Sequence, residues 1–121
     1  MTSAKHILFV EDESDLRPAL TALFGLKGYR VGWAGNGREA LEYLRQGDRP
    51  DLILLDLVLP EMDGWAFRRE QRHDPALASI PVVLVSADDD LPQSVAALGA
   101  RGYLEKPVGL DQLVRAVRQN C

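Results

Sequence analysis

Asp51-Leu52-Ile53-Leu54-Leu55-Asp56-Leu57-Val58-Leu59-Pro60-Glu61-Met62-Asp63-Gly64 is the stretch whose reading decides the fold. Leu52 to Leu55 is an unbroken apolar run, too short for a helix and without the polar alternation of a half-exposed strand. Such a run is what a central parallel strand looks like when both faces of its sheet are covered. It stops at Asp56. The segment Leu59 to Gly64 is dense in turn residues and leads into a helix expected from about Trp65 to His73, closed by Asp74-Pro75.

Outward from this unit the chain repeats the same alternation of short apolar run and helical periodicity, which predicts βα units and a mostly parallel sheet. Five such units are expected. The first strand is Ile7 to Val10, and Ser14 is the candidate N-cap of a helix with Leu16, Leu20, Leu23 and Phe24 on one face and Gly28 after its end. The second strand is Tyr29 to Ala34. Asn36-Gly37 then turns the chain into a helix whose Ala40, Leu41 and Leu44 face the sheet. The fourth strand, Pro81 to Val85, is followed by Ser86, and Asp88 to Asp90 stand before a short helix with Pro92 near its start and an end at about Leu98. The fifth strand, Gly102 to Leu104, leads to Glu105-Lys106-Pro107. A last helix from about Leu110 carries Leu110, Leu113, Val114 and Val117 at helical spacing.

Composition narrows the function. A chain of 121 residues, 46% hydrophobic and 26% charged, is the size and make-up of one soluble globular domain, residues 1–121. Fourteen Lys and Arg against eighteen Asp and Glu give a net charge of −4, which disfavours direct contact with nucleic acid or an anionic membrane. Cys121 is the lone cysteine, and Met1 to His6 lack the long apolar stretch of a signal peptide, so a cytoplasmic setting is expected.

Chemistry concentrates where an open parallel sheet binds its ligands, just past the carboxyl ends of the strands. Glu11-Asp12-Glu13 follows strand one, Asp56 strand three, Ser86 strand four and Lys106 strand five. Carboxylates gathered at one rim repel each other unless a cation intervenes, and a hard, oxygen-seeking ion such as Mg2+ binds one or two of them and keeps its waters. Lys106 would offer a point positive charge to phosphate oxygens and Ser86 a hydroxyl, leaving Asp56 as the nucleophile. Taken one at a time these residues have ordinary readings: Asp56 as a turn aspartate, Ser86 as a helix cap, Lys106 as a surface lysine, Tyr103 as a core aromatic, Trp33 and Trp65 as packing residues. Their order along the chain is what favours the functional reading.

In that order the sequence resembles the receiver domains of bacterial response regulators, the chemotaxis-type, flavodoxin-like family. The resemblance rests on Phe9-Val10-Glu11-Asp12, Asp51 to Asp56 with Pro60 and Met62-Asp63-Gly64, Val85-Ser86-Ala87, and Tyr103-Leu104-Glu105-Lys106-Pro107. It implies an α/β fold with a five-stranded parallel sheet of order 2-1-3-4-5 flanked by five helices. It also implies a signalling phosphoacceptor of two-component phosphorelay systems, not an enzyme acting on a separate substrate. Asp56 would take the phosphoryl group from a phosphohistidine donor on a sensor histidine kinase or histidine phosphotransfer protein. Mg2+ would be held by Asp12, Asp56 and the backbone carbonyl of Val58, with Glu11 acting largely through a bound water. Lys106 would pair with the phosphoryl oxygens, its bond to Pro107 would be cis, and Ser86 and Tyr103 would form a switch pair governing the face of the fourth helix, fifth strand and fifth helix. That face would bind a downstream protein or a tethered output domain, and a phosphorylation-dependent homodimer is a further option.

Ser86 stands where many relatives carry Thr, which keeps the hydroxyl and drops a methyl. Val58 and Asp88 occupy positions that tune phosphoryl lifetime in the family, and they point in opposite directions. A haloacid-dehalogenase-like phosphatase would need DxDxT after strand one, where this chain reads Asp12-Glu13-Ser14-Asp15-Leu16. A flavodoxin-like nucleotide binder would need a phosphate-cradling loop in place of the acidic one. No output segment follows the last helix within these residues, which leaves open a protein that docks alone or a receiver from a longer regulator.

Overall fold

The computed structural model describes residues 5–12, 15–87 and 91–121. Five strands, β1 (Lys5–Val10), β2 (Tyr29–Ala34), β3 (Leu52–Leu55), β4 (Val82–Ser86) and β5 (Gly102–Glu105), alternate with five helices, α1 (Arg17–Leu26), α2 (Gly37–Arg45), α3 (Gly64–His73), α4 (Leu91–Leu98) and α5 (Leu110–Asn120). The strands are all parallel in the order β2-β1-β3-β4-β5, as the resemblance implies.

Side chains on a strand alternate between faces, and here both faces meet helices. Leu8, Val10, Ile53, Leu55, Val82 and Leu84 join Ala40, Leu41 and Leu44 of α2, Phe67 of α3 and Leu98 of α4 in one core. Ile7, Phe9, Leu52, Leu54 and Val83 join Leu20 and Phe24 of α1 and Leu113 and Val117 of α5 in the other. Every residue of β3 is buried, which is why its sequence shows no polar alternation.

Local signals set the helix starts. Asn36 accepts the amide of Glu39 and caps α2, and Asp63 accepts the amide of Ala66 and caps α3. Ser14, the expected cap of α1, and Asp88 to Asp90, the acids expected before α4, lie outside the described residues. Several edges differ from the sequence reading. β1 begins at Lys5, Ser86 is the last residue of β4 instead of the first after it, and β5 runs on to Glu105. Leu16 precedes α1 and is 53% exposed, and Leu110, the first residue of α5, is 48% exposed. Both sit at helix entrances, where the apolar stripe has run past the sheet, so periodicity alone overstated the buried face.

Candidate functional site

Asp56 leaves the end of β3 and is only 6% exposed, yet its carboxylate is fully engaged. Oδ1 accepts the amide of Val58 at 3.0 Å, and Oδ2 accepts Nζ of Lys106 at 2.7 Å. The same ammonium donates to Oε1 of Glu11 at 3.0 Å, so one cation from beyond β5 joins carboxylates from beyond β1 and β3. Burial pulls the Lys106 ammonium toward neutrality, but the hydrogen bonds and charges of Asp56 and Glu11 outweigh it and hold its pKa above the ordinary lysine value.

The backbone fixes these positions. The amide of Asp56 donates to Val10 O, that of Glu11 to Ala34 O, and that of Lys106 to Ser86 O, so each group is anchored to the neighbouring strand. The Lys106–Pro107 bond is cis, as expected from the resemblance. Gly64 lies against the backbone of Asp56 and Leu57: a Cβ there would come within 2.5 Å of Asp56 O and 2.8 Å of Leu57 Cα. This explains the Met62-Asp63-Gly64 signature physically, since Asp63 caps α3 while Gly64 lets the helix approach the strand end.

The structure brings together Glu11, Asp56 and Lys106, with the Val58 amide on Asp56 Oδ1. Asp12 is exposed beside Glu11, and the Val58 side chain is 73% exposed. Ser86 is buried at the end of β4, and Tyr103 on β5 is 43% exposed, so it is no core aromatic in this state. Glu13 and Asp88 lie outside the described residues. Among the described residues no three His, Cys, Asp or Glu side chains are already gathered as a metal cage. The donor set nonetheless suits a hard cation: carboxylates of Glu11 and Asp56 already converge on one positive centre, Asp12 is open to solvent beside them, and such an ion completes its shell with water.

Sequence reasoning missed Arg17. Its Nη2 donates to Glu11 O at 2.8 Å while the guanidinium lies 5.1 Å over the Trp33 ring, which itself stacks on Phe9 at 4.5 Å. Trp33 is thus a packing residue that also steadies the acidic loop through Arg17. No local signal marks this arginine, because its partners are set by the fold. Trp65 departs from expectation in the other direction, at 40% exposed on α3.

The family model described as the response regulator receiver domain matches residues 7–118. Regulatory protein AtoC of Escherichia coli is 39% identical over 115 residues, covering 93% of this chain and 24% of that protein. The transcriptional regulatory protein AfsQ1 of Streptomyces coelicolor is 39% identical over 117 residues, covering 92% of this chain and 50% of that protein. The chain therefore spans half or less of the length of these relatives. Among solved structures, the chemotaxis response regulator CheY4 of Vibrio cholerae superposes with a TM-score of 0.85 at 28% identity, over 98% of this chain and 99% of that one. The receiver domain of the sensor histidine kinase PA1611 of Pseudomonas aeruginosa, described with a magnesium ion in its active-site cleft, gives 0.82 at 28% identity, over 97% of each.

An open parallel sheet with an acid and a lysine meeting past its carboxyl edge defines the class, a flavodoxin-like α/β module with its chemistry at the strand ends. Within that class the chain belongs to the response regulator receiver domain family of two-component signal transduction.

Proposed function

We propose that Asp56 accepts a phosphoryl group from a phosphohistidine on a sensor kinase or phosphotransfer protein in the cytoplasm. A carboxylate oxygen of Asp56 attacks phosphorus, the P–N bond to the donor imidazole breaks, and the imidazole leaves with a proton. One observation carries the reading: Lys106 Nζ lies 2.7 Å from Asp56 Oδ2, so a cation is already poised where phosphoryl negative charge will appear. The Val58 amide on Oδ1 holds the carboxylate in a fixed orientation before the donor arrives. Mg2+ would be held by Asp12, Asp56 and the Val58 carbonyl, with Glu11 through water. When bound it neutralises charge on the transferring group.

Phosphorylation adds roughly one to two negative charges at a rim already acidic, and the new oxygens seek donors. Lys106 and Ser86 supply them. Movement of Ser86 toward the phosphate frees space beneath β4 for Tyr103 to turn inward, and the surface of α4, β5 and α5 changes as a population shift between two states. That surface then engages a downstream protein, a tethered output domain or a second copy. AfsQ1 is by name a transcriptional regulatory protein and half of it lies beyond the match, so the expectation of no nucleic-acid contact is confined to these residues. No described helix is long and apolar enough to cross a membrane.

The test is incubation with Mg2+ and acetyl phosphate followed by intact mass. The expected result is the gain of one phosphoryl group, absent from Asp56→Ala and abolished by excess EDTA. Labelling that persists in the variant moves the acceptor elsewhere. For the switch, Ser86→Ala should still label while losing the backbone chemical-shift changes across α4, β5 and α5. Identical distant shifts in variant and parent would sink the coupling.

A further inference from the structure

A groove of about 710 Å3 lies between α3 and α4. Trp65, Arg69, Arg72 and His73 line its α3 side, and Ala97 and Leu98 line its α4 side. The α3 residues fall at i, i+4, i+7 and i+8, one stripe of one helix. Trp65 is 40% exposed and shares this stripe with two arginines, on a chain whose net charge is −4.

Part of this stripe has a structural role. The last carbonyls of α4 lack partners within the helix, and arginines of α3 supply them: Arg72 donates to Ala97 O at 3.2 Å, and buried Arg68 donates to Leu98 O at 2.9 Å and Gly99 O at 3.2 Å. Burial first, and the charge of Arg72 second, hold the Arg68 guanidinium below its ordinary pKa. That role leaves Trp65, Arg69 and His73 unexplained. Among the described residues the side chains of Arg69 and His73 make no hydrogen bond or ion pair, and no carboxylate lies within 4.0 Å of any arginine in the groove.

We propose that this groove docks an acidic segment of a partner protein, with an apolar side chain of the partner packed on the Trp65 indole and the floor at Ala97 and Leu98. Arg69, Arg72 and His73 would face its carboxylates. Tryptophan and arginine are the residues that dominate binding energy at protein interfaces, and an unpaired guanidinium fork matches a carboxylate. A nucleoside phosphate fits less well. It asks for backbone N–H donors, whereas this end of α4 presents carbonyls that the arginines already occupy. Docking here needs no phosphoryl group on Asp56. It would bear on the proposed output face all the same, because both surfaces share α4.

The test uses the full chain carrying Trp33→Phe, so that Trp65 is the remaining indole, titrated at neutral pH without phosphodonor. The probe is a short acetylated Glu/Leu peptide, with a Gln/Leu peptide and a single-stranded oligonucleotide as comparison arms. The expected result is a saturable blue shift of Trp65 emission with the acidic peptide alone. Arg69→Glu should weaken binding by at least roughly tenfold, and Arg38→Glu, an exposed site on α2, should leave it unchanged. Acetyl phosphate labelling of Arg69→Glu made in the parent chain, with Trp33 in place, should be intact, so failure here and failure at Asp56 are distinguishable. No shift, equal binding after Arg69→Glu, or equal binding of the oligonucleotide each overturns the proposal.

Discussion

The two ends of β1 carry polar clusters of opposite character. At the carboxyl end, the Glu11 and Asp56 carboxylates share the Lys106 ammonium, and Asp12, next in the chain, is exposed. At the amino end, buried His6 bonds through Nε2 to the Tyr43 hydroxyl, its amide donates to Asp51 Oδ2 at 2.8 Å, and its carbonyl accepts the Asp51 amide at 2.7 Å. Asp48, with Oδ1 3.7 Å from His6 Nδ1, is held in turn by both terminal nitrogens of Arg30. At the first end two carboxylates share one ammonium; at the second each carboxylate has a partner of its own, Asp48 in Arg30 and Asp51 in the His6 amide. Polar residues at strand ends are therefore not equivalent, and the end whose carboxylates share a cation is the better candidate for chemistry.

Substitutions can break this contrast. The largest effect expected is at the carboxyl end: Asp56→Asn should abolish acetyl phosphate labelling while moving the melting temperature little, since Lys106 keeps Glu11. Wild-type labelling in that variant would remove the rim from the mechanism. Gly64→Ala should destabilise by roughly 1–3 kcal/mol through overpacking, because the new methyl would press on the Asp56 and Leu57 backbone, which cannot swing aside, and on Leu57 Cδ2. Urea unfolding measures it, and an unchanged midpoint would show that the approach of α3 to β3 is looser than 2.5 Å implies. His6→Ala should cost about 2 kcal/mol, from a lost side chain in the core and an orphaned Tyr43 hydroxyl, with labelling intact. Loss of labelling in a stably folded His6→Ala would mean that the two ends are coupled.

A smaller effect is expected in alkali. Because the folded pKa of Lys106 is raised, its contribution to stability is fully present below the unfolded value of about 10.4 and is lost as pH climbs through the higher folded value. Between those limits the parent should lose stability faster than Lys106→Met. Equal pH slopes would mean that the ammonium gains nothing from its two carboxylates.

Most of the frame was legible because apolar runs translate directly into buried strands. Leu52 to Leu55 could be read without knowing its neighbours, and Asp56 stood out as the residue at which that run ends. The site was legible through order, since Glu11, Asp56 and Lys106 each follow a strand and the sheet brings strand ends together. What escaped was set by contacts distant in sequence. Arg68 is buried because it serves carbonyls some thirty residues on, at Leu98 and Gly99, and Gln71 because it reaches Leu77 O and Ile80 O. His6 reads as a terminal polar residue until β2, α2 and the segment before β3 close around it. Trp65 read as packing because large aromatic residues usually are, and nothing nearby announced that the stripe on α3 would stay open.

The loop after Asp56 joins two helix entrances. Its start is tied to α3, through the Gly64 amide on Leu57 O at 3.1 Å, and its end to α2, through the Gly37 amide on Met62 O at 2.8 Å. A Cβ at Gly37 would meet Met62 Cγ at 2.7 Å, so that second join is as close as the first. Opening of the whole loop would break both joins, so hydrogen exchange at the amides of Gly37 and Gly64 is expected to follow a common rate.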